Sequence, residues 1–553
     1  MTARITALVP ERPGFAPGEP WRLRLTIRAA EPADAVVRAW PAWPGGPDAR
    51  AGAAARRVRL PRGTSQVSCE IASPPGEERG YLVEASVQTA GGTGHGLGSA
   101  DVLADWRADP RYGFLSEFGP AASGQQDRAA ALAGLHLNCA QFYDWMYRHD
   151  QLLPPRDTFR DPVGRLLSLA SVRASIAACR DRGIAALGYA AVYAGLPDFA
   201  AAHRGWQITD AAGRPEHLAE LFYLMNPAGP GWRRHLLGQL DGALDALGFD
   251  GFHLDQYGYP RAAWDDAGRL VDVGAGLAGM ARAAAALVAA RRPGGGVIAN
   301  AVNAWPLDEF AAVPQVASYI EVWPPHTRYE DLTALADRAR RAASRPVLLA
   351  AYPAFLRRPP RPAPGPAGYG LGYLIAVTLA SGAWPLLAGE GGRVLADPYY
   401  PNHVAPPAAA RAMLARLLGF GVAFRGWLRG PLVHPAEPAF VAGPAAEWRL
   451  SLPHSARPEP GRVWARASTS PGWTVLSLVN LLEVQDPSWD RPQPPARGRV
   501  VTVTLPRHLR APDCWAASPG QPARRLAVTE TGGRFQVRLP LRLWTLLAVT
   551  GPG

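Results

Sequence analysis

The stretch Gly-Phe-His-Leu-Asp-Gln-Tyr-Gly at residues 251–258 begins as a short apolar run and ends in polar and aromatic residues. Segments rich in alanine, leucine and arginine lie on either side of it, at residues 235–247 and 276–291, and have helical character. A short apolar strand between two helical segments is typical of a βαβ unit, whose strand lies in a parallel sheet that helices cover. This stretch therefore predicts an α/β architecture for the middle of the chain.

The same alternation extends in both directions and gives eight predicted strands with helical segments, such as residues 170–181, between them. The predicted strands are residues 113–117, 136–142, 184–190, 251–255, 296–300, 317–322, 347–351 and 382–387. Eight strands over roughly 280 residues match a (β/α)₈ TIM barrel. An open doubly wound sheet is the alternative, but its first strand should lead into a glycine-rich turn, and Glu-Phe-Gly-Pro at residues 117–120 is not one. The sequence therefore favours the barrel.

The two ends of the chain have a different pattern from the middle. Short alternating runs such as residues 21–27, 35–40, 500–504 and 543–549 are separated by turns rich in proline and glycine, which is typical of antiparallel β-structure. We therefore predict three domains. These are an immunoglobulin-like β-sandwich at residues 1–105, the catalytic barrel at 106–430 and an antiparallel β-domain at 431–553.

The composition excludes several classes of function. The chain has 553 residues and a formal net charge of +12, and all 58 of its basic residues are arginine. Without lysine there can be no Schiff-base catalysis, no lysine-anchored pyridoxal phosphate and no Walker A loop. The basic residues form no run of the kind that binds a polyanion, so we predict no nucleic-acid partner.

No cofactor, metal site or membrane partner is predicted either. The four cysteines are scattered, with no Cys-x-x-Cys pair and no neighbouring histidine cluster, so buried free thiols are expected. No window reaches 18 consecutive apolar residues, and the first residues lack the apolar core of a signal peptide. The sequence thus predicts a cytoplasmic protein, or a secreted one if an export signal has been removed.

Two of the predicted strands have a carboxylate residue at or next to their C-terminal end. Strand alternation puts His253 and Asp255 on one face of the fourth strand, and Tyr319, Glu321 and Trp323 on one face of the sixth. A carboxylate at the end of an apolar strand is costly to desolvate unless it pairs with an arginine, caps a helix or has a chemical task. Two carboxylates flanked by aromatics at one barrel mouth are the groups that a glycosidase uses, one at the anomeric carbon and one to transfer the leaving-group proton.

Four motifs together resemble the barrel motifs of glycoside hydrolase family 66, which contains endo-dextranases and cycloisomaltooligosaccharide glucanotransferases. They are Gly-Phe-Leu-Ser-Glu-Phe at residues 113–118, Gln-Phe-Tyr-Asp-Trp-Met-Tyr-Arg-His at 141–149, the stretch at 251–258 and Glu-Val-Trp-Pro at 321–324. The resemblance covers roughly residues 105–430, and the flanking β-regions match the family's layout in pattern.

The resemblance implies that Asp255 is the nucleophile and Glu321 the general acid/base of a retaining mechanism on α-1,6-linked glucan. It also implies which residues shape the sugar subsite nearest the scissile bond: Tyr143, Asp144, His253, Gln256 and Trp323.

Three more polar residues follow predicted strands and are included among the predicted substrate-binding residues. Asn300 and Asn303 follow the fifth strand, where they can bind sugar hydroxyls or cap the next helix. Glu390 follows the eighth strand, where it can bind substrate or pair with an arginine.

We therefore predict a cofactor-independent hydrolase of α-1,6 bonds in dextran or isomaltooligosaccharides. The alternatives are a cycloisomaltooligosaccharide glucanotransferase and a catalytically inactive carbohydrate-binding protein. Cyclising members of the resembled family carry an extra carbohydrate-binding module near the end of the barrel, whereas here about 45 residues join the eighth strand to the C-terminal β-region. This difference favours hydrolysis over cyclisation.

Overall fold

The computed structural model describes residues 3–43, 53–74, 78–121, 123–357, 366–437, 439, 441–443, 446–509 and 512–550. The strands of its N-terminal region are Arg4–Pro10 (β1), Trp21–Ala29 (β2), Ala33–Trp43 (β3), Ala54–Leu60 (β4), Gly63–Ile71 (β5), Gly80–Thr89 (β6) and Gly92–Asp101 (β7). They form two antiparallel sheets with strand orders β1-β2-β5 and β4-β3-β6-β7. Alternate residues of β2, such as Trp21 and Leu25, are buried in a core shared by the two sheets.

The central region alternates strands with helices, so the predicted mixed α/β organisation is confirmed. Its strands are Tyr112–Leu115 (β8), Cys139–Phe142 (β9), Thr158–Arg160 (β10), Leu166–Ser168 (β11), Ala185–Ala191 (β12), Ala194–Gly195 (β13), His217–Leu218 (β14), Phe222–Leu224 (β15), Gly251–Asp255 (β16), Ala262–Trp264 (β17), Leu270–Asp272 (β18), Gly296–Ala299 (β19), Ser318–Glu321 (β20), Val347–Ala350 (β21), Ala383–Pro385 (β22), Ala388–Gly389 (β23) and Arg393–Val394 (β24).

The parallel strands of this region pair in chain order. Hydrogen bonds link β8, β9, β12, β16 and β19, and a second parallel set links β20, β21 and β22. A parallel bridge between Asn300 and Tyr319 joins the end of β19 to β20. The segment that holds β22 and β23 pairs with β21 on one side and with β8 on the other, so the pairing returns to the strand where it began. All carboxyl ends therefore lie on one side of a ring of parallel strands.

Ten helices are present among the described residues. They are Gln125–Gly134 (α1), Leu169–Asp181 (α2), Pro197–Ala202 (α3), Pro230–Leu247 (α4), Val273–Arg291 (α5), Leu307–Phe310 (α6), Tyr329–Ala342 (α7), Pro366–Ala380 (α8), Ala408–Ala423 (α9) and Arg425–Leu428 (α10). α4 and α5 begin several residues earlier than predicted, because Pro230 suits the first turn of α4 and the Asp272 carboxylate caps α5 by accepting from Ala275 N–H.

The second parallel strand begins later than predicted. His136 has a left-handed φ of 62° and ends the turn that follows α1, so the extended strand starts only at Cys139. The buried His136 ring instead contacts the hydroxyl of Ser99 at 2.8 Å. His136 therefore ties the central ring to the N-terminal sheets.

Among the described residues, α5 is long and apolar enough to cross a membrane by length and composition alone. Just over half of its most apolar window, 56%, is buried within the protein, and the helix packs against β19 and α4. Its apolar surface is therefore used in the core of this region.

The strands of the C-terminal region are His434–Pro435 (β25), Arg449–Leu450 (β26), His454–Ser455 (β27), Val463–Ser470 (β28), Trp473–Asn480 (β29), Arg499–Thr504 (β30), Cys514–Ala517 (β31), Arg524–Arg525 (β32), Val528–Thr531 (β33), Arg534–Leu541 (β34) and Trp544–Thr550 (β35). They form two mainly antiparallel sheets of order β25-β28-β29-β35-β31-β32 and β26-β30-β34-β33, and the short β27 pairs with β28 in parallel. Apolar residues from both sheets form one core.

A buried ion network connects the N-terminal sheets to the ring. The Arg111 guanidinium, which is fully buried, donates to Asp101 at 2.7 Å and to Asp109 at 2.9 Å. Arg429 donates to Asp109 and Arg425 to Asp101, so both carboxylates are paired twice. Pairing of this kind offsets the cost of taking these charges out of water.

Candidate active site

A cavity of about 590 Å³ opens at the carboxyl ends of the parallel strands. Its floor holds Asp255, the last residue of β16, and Glu321, the last residue of β20. Its walls come from the segments that follow the strands and include Val163, Phe222 and Tyr399. Polar groups thus converge beneath an apolar and aromatic rim, which is the usual composition of a small-molecule site.

Asp255 is held by two side-chain donors from neighbouring strands. The hydroxyl of Tyr189, in β12, donates to Oδ2 at 2.6 Å, and Nδ2 of Asn300, directly after β19, donates to Oδ1 at 2.7 Å. Burial raises the pKa of Asp255 above its ordinary value, while these hydrogen bonds act in the opposite direction by stabilising the ionised form.

Glu321 lies in a similar pocket but beside another negative charge. The hydroxyl of Tyr352 donates to Oε1 at 2.8 Å, and Nδ2 of Asn300 donates to Oε2 at 3.0 Å. Burial, followed by the charge of Asp255, raises the pKa of Glu321 to about 7. Glu321 is therefore suited to hold a proton near neutral pH.

One amide nitrogen thus contacts both carboxylates. Since Nδ2 of Asn300 lies 2.7 Å from Oδ1 of Asp255 and 3.0 Å from Oε2 of Glu321, these two oxygens are at most about 5.7 Å apart. The two carboxyl groups, predicted from strand ends 66 residues apart in the chain, are neighbours in space.

Three of the predicted substrate-binding residues, His253, Gln256 and Tyr143, line the cavity and are held by contacts within the protein. His253 Nδ1 lies 3.1 Å from the Tyr112 hydroxyl, and burial lowers its pKa to about 3, so the ring is neutral. Gln256 donates to the carbonyls of Asn300 and Trp305 and accepts from Gly258 N–H. Tyr143 stacks on Tyr400, with ring centroids 4.2 Å apart.

Asp144 also lines the cavity, and its backbone has a left-handed φ of 46°. Strain of this kind in a residue other than glycine clusters at functional sites. Its Oδ2 lies 3.5 Å from the Arg165 guanidinium, while burial raises the pKa of Asp144 to about 7. Asp144 is therefore a third titratable carboxyl group in the cavity.

Trp323 lies on the cavity wall directly after β20 and is 37% exposed. Its backbone N–H donates to Oδ1 of Asn303 at 2.7 Å, and Nδ2 of Asn303 donates to the Pro324 carbonyl at 3.1 Å. Asn303 itself is not part of the cavity lining. The structure therefore places Asn303 behind the segment that carries Trp323.

Glu390 is likewise outside the cavity lining and is only 2% exposed. One carboxylate oxygen accepts from Ser116 N–H at 2.7 Å, and the other accepts from Arg128 at 3.0 Å. Of the two interpretations of Glu390, this geometry matches pairing with an arginine. The substrate-binding interpretation is not supported, because both oxygens are turned toward protein donors.

Tyr189, Tyr352 and Tyr400 were not among the predicted site residues, although all three line the cavity. Tyr189 lies near the carboxyl end of its strand and Tyr352 just beyond one, so a search for aromatic hydroxyls at strand ends would have found both. Tyr400 lies in the segment after β24, which the sequence pattern did not connect to the mouth of the ring.

Among the described residues, no group of three histidine, cysteine, aspartate or glutamate side chains is arranged to hold a metal ion. The chemical groups of the cavity include two adjacent carboxyl groups, the further carboxyl groups of Asp144 and Asp161, a bridging amide, tyrosine hydroxyls and aromatic faces. This site at the carboxyl ends of parallel strands defines a glycosidase-type enzyme.

The family follows from comparison with known sequences. The sequence profile described as Glycosyl hydrolase family 66 matches residues 50–547, and the chain belongs to this family. Two cycloisomaltooligosaccharide glucanotransferases of Niallia circulans are similar to it. One is 27% identical over 317 residues, which is 52% of this chain and 32% of the relative, and the other is 26% identical over 304 residues, 51% of this chain and 31% of the relative. The matched part is therefore about a third of those relatives' length.

Solved structures show a similar fold. The structure of a cycloisomaltooligosaccharide glucanotransferase from Paenibacillus sp., complexed with cycloisomaltoheptaose, has a TM-score of 0.88 at 19% identity and covers 99% of this chain and 100% of its own. An α-amylase from Geobacillus thermoleovorans, complexed with acarbose, has a TM-score of 0.50 at 7% identity and covers 82% of this chain and 100% of its own. The fold of this chain is thus similar to the folds of these two proteins.

Proposed function

We propose that this chain opens α-1,6-glucosidic bonds of dextran or isomaltooligosaccharides through a covalent glycosyl-enzyme intermediate. The observation that carries the proposal is the bridge through Asn300, which keeps facing oxygens of Asp255 and Glu321 within about 5.7 Å. Retaining glycosidases separate their carboxyl groups by about 5–5.5 Å and inverting enzymes by about 6.5–9.5 Å, so two carboxylates close enough to share one donor nitrogen favour the retaining mechanism.

In the first step, the ionised Asp255 attacks the anomeric carbon while Glu321 gives its proton to the glycosidic oxygen. The bond between that carbon and the leaving-group oxygen breaks, and an ester to Asp255 forms. The ester removes the negative charge of Asp255, so the pKa of Glu321 falls and its carboxylate can accept a proton from the next nucleophile. This nucleophile attacks the anomeric carbon, and Asp255 leaves as a carboxylate.

The second nucleophile decides between hydrolysis and transfer. Water gives hydrolysis, and the hydroxyl of another sugar gives a glucanotransferase. Both curated relatives are named cycloisomaltooligosaccharide glucanotransferases, which favours the sugar acceptor over the hydrolysis that the short segment after the eighth strand suggested. These names also support an α-1,6-linked glucan as substrate. The two acceptors share the same first step and the same catalytic pair.

The energetic cost of burying Asp255 and Glu321 at the cavity floor argues against a catalytically inactive binding protein. Burying two carboxyl groups beside each other is costly, and removing either one would relieve the repulsion that raises the pKa of Glu321. A protein that only bound sugar would gain nothing from keeping both. Such a pair is expected where the pKa difference between its members is used in catalysis.

We further propose the domain layout that accompanies this activity. The ring of parallel strands is assigned as a (β/α)₈ barrel at residues 106–430, with an immunoglobulin-like sandwich at 1–105 and an antiparallel β-domain at 431–553. In support, the parallel strands pair in chain order and return to β8, and the candidate pair lies at their carboxyl ends, where barrel enzymes carry their active sites.

Product analysis tests the proposal. Purified protein is incubated with dextran, isomaltotriose, pullulan and starch, and products are separated by thin-layer chromatography and mass spectrometry. Glucose and linear isomaltooligosaccharides indicate hydrolysis, whereas cyclic or lengthened products indicate transfer. Asp255→Asn serves as the matched inactive control. Products from starch with none from dextran or isomaltotriose would contradict the α-1,6 assignment.

A further inference from the structure

The strand order explains why a single side chain reaches both carboxylates. β19 lies between β16, which ends in Asp255, and β20, which ends in Glu321. The residue that directly follows β19 is therefore adjacent to both strand ends at once. Asn300 occupies this position and is 1% exposed.

The backbone of Asn300 is fixed on both sides. Its N–H donates to the Leu254 carbonyl at 2.9 Å, and its carbonyl accepts from Nε2 of Gln256 at 3.1 Å. Both groups belong to the segment that carries Asp255. The side chain of Asn300 therefore starts from a point that is anchored beside the candidate nucleophile.

The orientation of the amide is also determined. Each of the two hydrogens on Nδ2 points to one carboxylate, while the buried Oδ1 has no hydrogen-bond partner among the described residues. A reversed amide would set Oδ1 against two carboxylate oxygens and would lose both hydrogen bonds. The side chain is thus held as a double donor despite an unpaired oxygen.

We propose that Asn300 is a positioning residue that holds Asp255 and Glu321 at the separation needed for the retaining reaction, through one uncharged amide nitrogen. This inference rests on the proposed function and adds to it a role for Asn300 other than contact with the substrate. Because both hydrogens are used by the carboxylates, Nδ2 has none left for a sugar hydroxyl.

The absence of charge on this bridge matters. A cation between the two groups would favour ionisation of both and would deprive Glu321 of its proton. A third acid would have at most one proton to give and would add repulsion. Asparagine supplies two donors with no net charge, so it stabilises Asp255 as an anion and lowers the pKa of Glu321 less than a cation would.

The experiment compares pH profiles of kcat/KM for wild type, Asn300→Ala and the isosteric Asn300→Asp. Without the bridge each carboxylate loses one donor, so both the acidic and the basic limb should move to higher pH by about one unit. The rate at the optimum should fall on the order of 100-fold, because the pair is no longer held in place. Unfolding curves establish that each variant is folded, and Asn300→Asp keeps the shape of the side chain.

Two matched variants each remove one of the other donors. Tyr189→Phe should move only the acidic limb and Tyr352→Phe only the basic limb, since these hydroxyls contact one carboxylate each. The cavity lining holds further ionisable side chains, which are Asp144, Asp161, Arg148, His149, His253 and the tyrosines at 143, 257, 319, 399 and 400. Profiles repeated in Asp144→Asn remove the contribution of Asp144, the further carboxyl group whose pKa responds to the charge of Asp255.

If neither limb of the pH profile moves in either folded Asn300 variant, the inference is wrong. If KM also rises while the limbs stay in place, Asn300 contacts the sugar instead. Failure of the proposed function has a separate signature. In that case the pH profile of Glu321→Gln would keep its basic limb, or the Asp255→Ala variant would remain active, and either result is independent of the Asn300 variants.

Discussion

Tyr189 donates a 2.6 Å hydrogen bond to Oδ2 of Asp255 from the strand next to it in the ring. In the parallel register Asp255 lies opposite Ala191, so the tyrosine two residues earlier points to the same face and its ring spans the distance to the carboxylate. With Asn300 on the other oxygen, the carboxylate has a defined orientation toward the cavity. This arrangement is the basis for a prediction about stereochemistry.

The substitution Asp255→Ala should abolish most of the activity and leave space below the anomeric carbon of the substrate. Added azide should then attack from that side and give the β-glycosyl azide, because the α-linked substrate is inverted once. Glu321→Ala should still form the ester from a substrate with a good leaving group, and azide should then give the α-glycosyl azide with net retention. Proton NMR of the products measures the anomeric configuration.

The two variants control for each other, since they should give opposite anomers under identical conditions. The assignment fails if Asp255→Ala keeps near-native activity, or if the wild-type enzyme releases sugar in the β-configuration.

The activity should have a bell-shaped pH dependence. It should fall as the pH rises through the pKa of Glu321, about 7, because the acid loses the proton that it must donate. It should fall on the acidic side as Asp255 takes up a proton, at a pH above the ordinary range of an aspartate, since burial raises its pKa. The measurement is kcat/KM from pH 4 to 9 on a substrate with a good leaving group. Glu321→Gln should lose the basic limb, and persistence of that limb would assign it to another group.

Trp323→Ala should weaken substrate binding while leaving the fold intact. The side chain is 37% exposed on the cavity wall beside Glu321, so its face is available to stack on a sugar ring. The loss should be on the order of 1–3 kcal/mol in binding free energy. Calorimetric titration with isomaltooligosaccharides in an Asp255→Asn background measures it.

Trp384 is the matched control, because it is 1% exposed and lies in the core. Trp384→Ala should lower the free energy of unfolding by about 3–5 kcal/mol. A comparable loss of stability in Trp323→Ala would show that Trp323 serves packing.

Arg111→Met should lower the free energy of unfolding by about 3–5 kcal/mol, because it leaves Asp101 and Asp109 buried with fewer partners. It also frees the carbonyls of Pro13 and His136, which Arg111 contacts at 2.7 and 2.6 Å. Urea unfolding followed by tryptophan fluorescence gives the value. Arg59→Ala, which removes an exposed pair with Asp34, should change stability by less than about 1 kcal/mol. Equal effects of the two substitutions would contradict the proposed importance of the buried network.

Much of the site could be predicted from the chain because local rules place it. Apolar runs of strand length between helical segments predict parallel strands, and the carboxyl ends of such strands share one edge. Asp255 and Glu321 were therefore predicted to lie together without knowledge of distances, and the structure brings them together. Trp323 and His253 follow from the same alternation along the strand.

The partners of these residues could not be predicted, since a hydrogen bond depends on strand neighbours and side-chain conformations that local sequence does not specify. Asn300 was expected to bind sugar or cap a helix, yet both of its hydrogens go to carboxylates. Glu390 follows a strand, as the catalytic candidates do. Its carboxylate lies outside the cavity and accepts a hydrogen bond from Arg128, which is 262 residues earlier in the chain. The sequence alone determined which polar residues lie at the ends of the strands, because the alternation of side chains along a strand depends only on the local sequence. The tertiary structure decided which of them face the cavity and which are neutralised, because burial and charge pairing depend on groups that are distant in the chain.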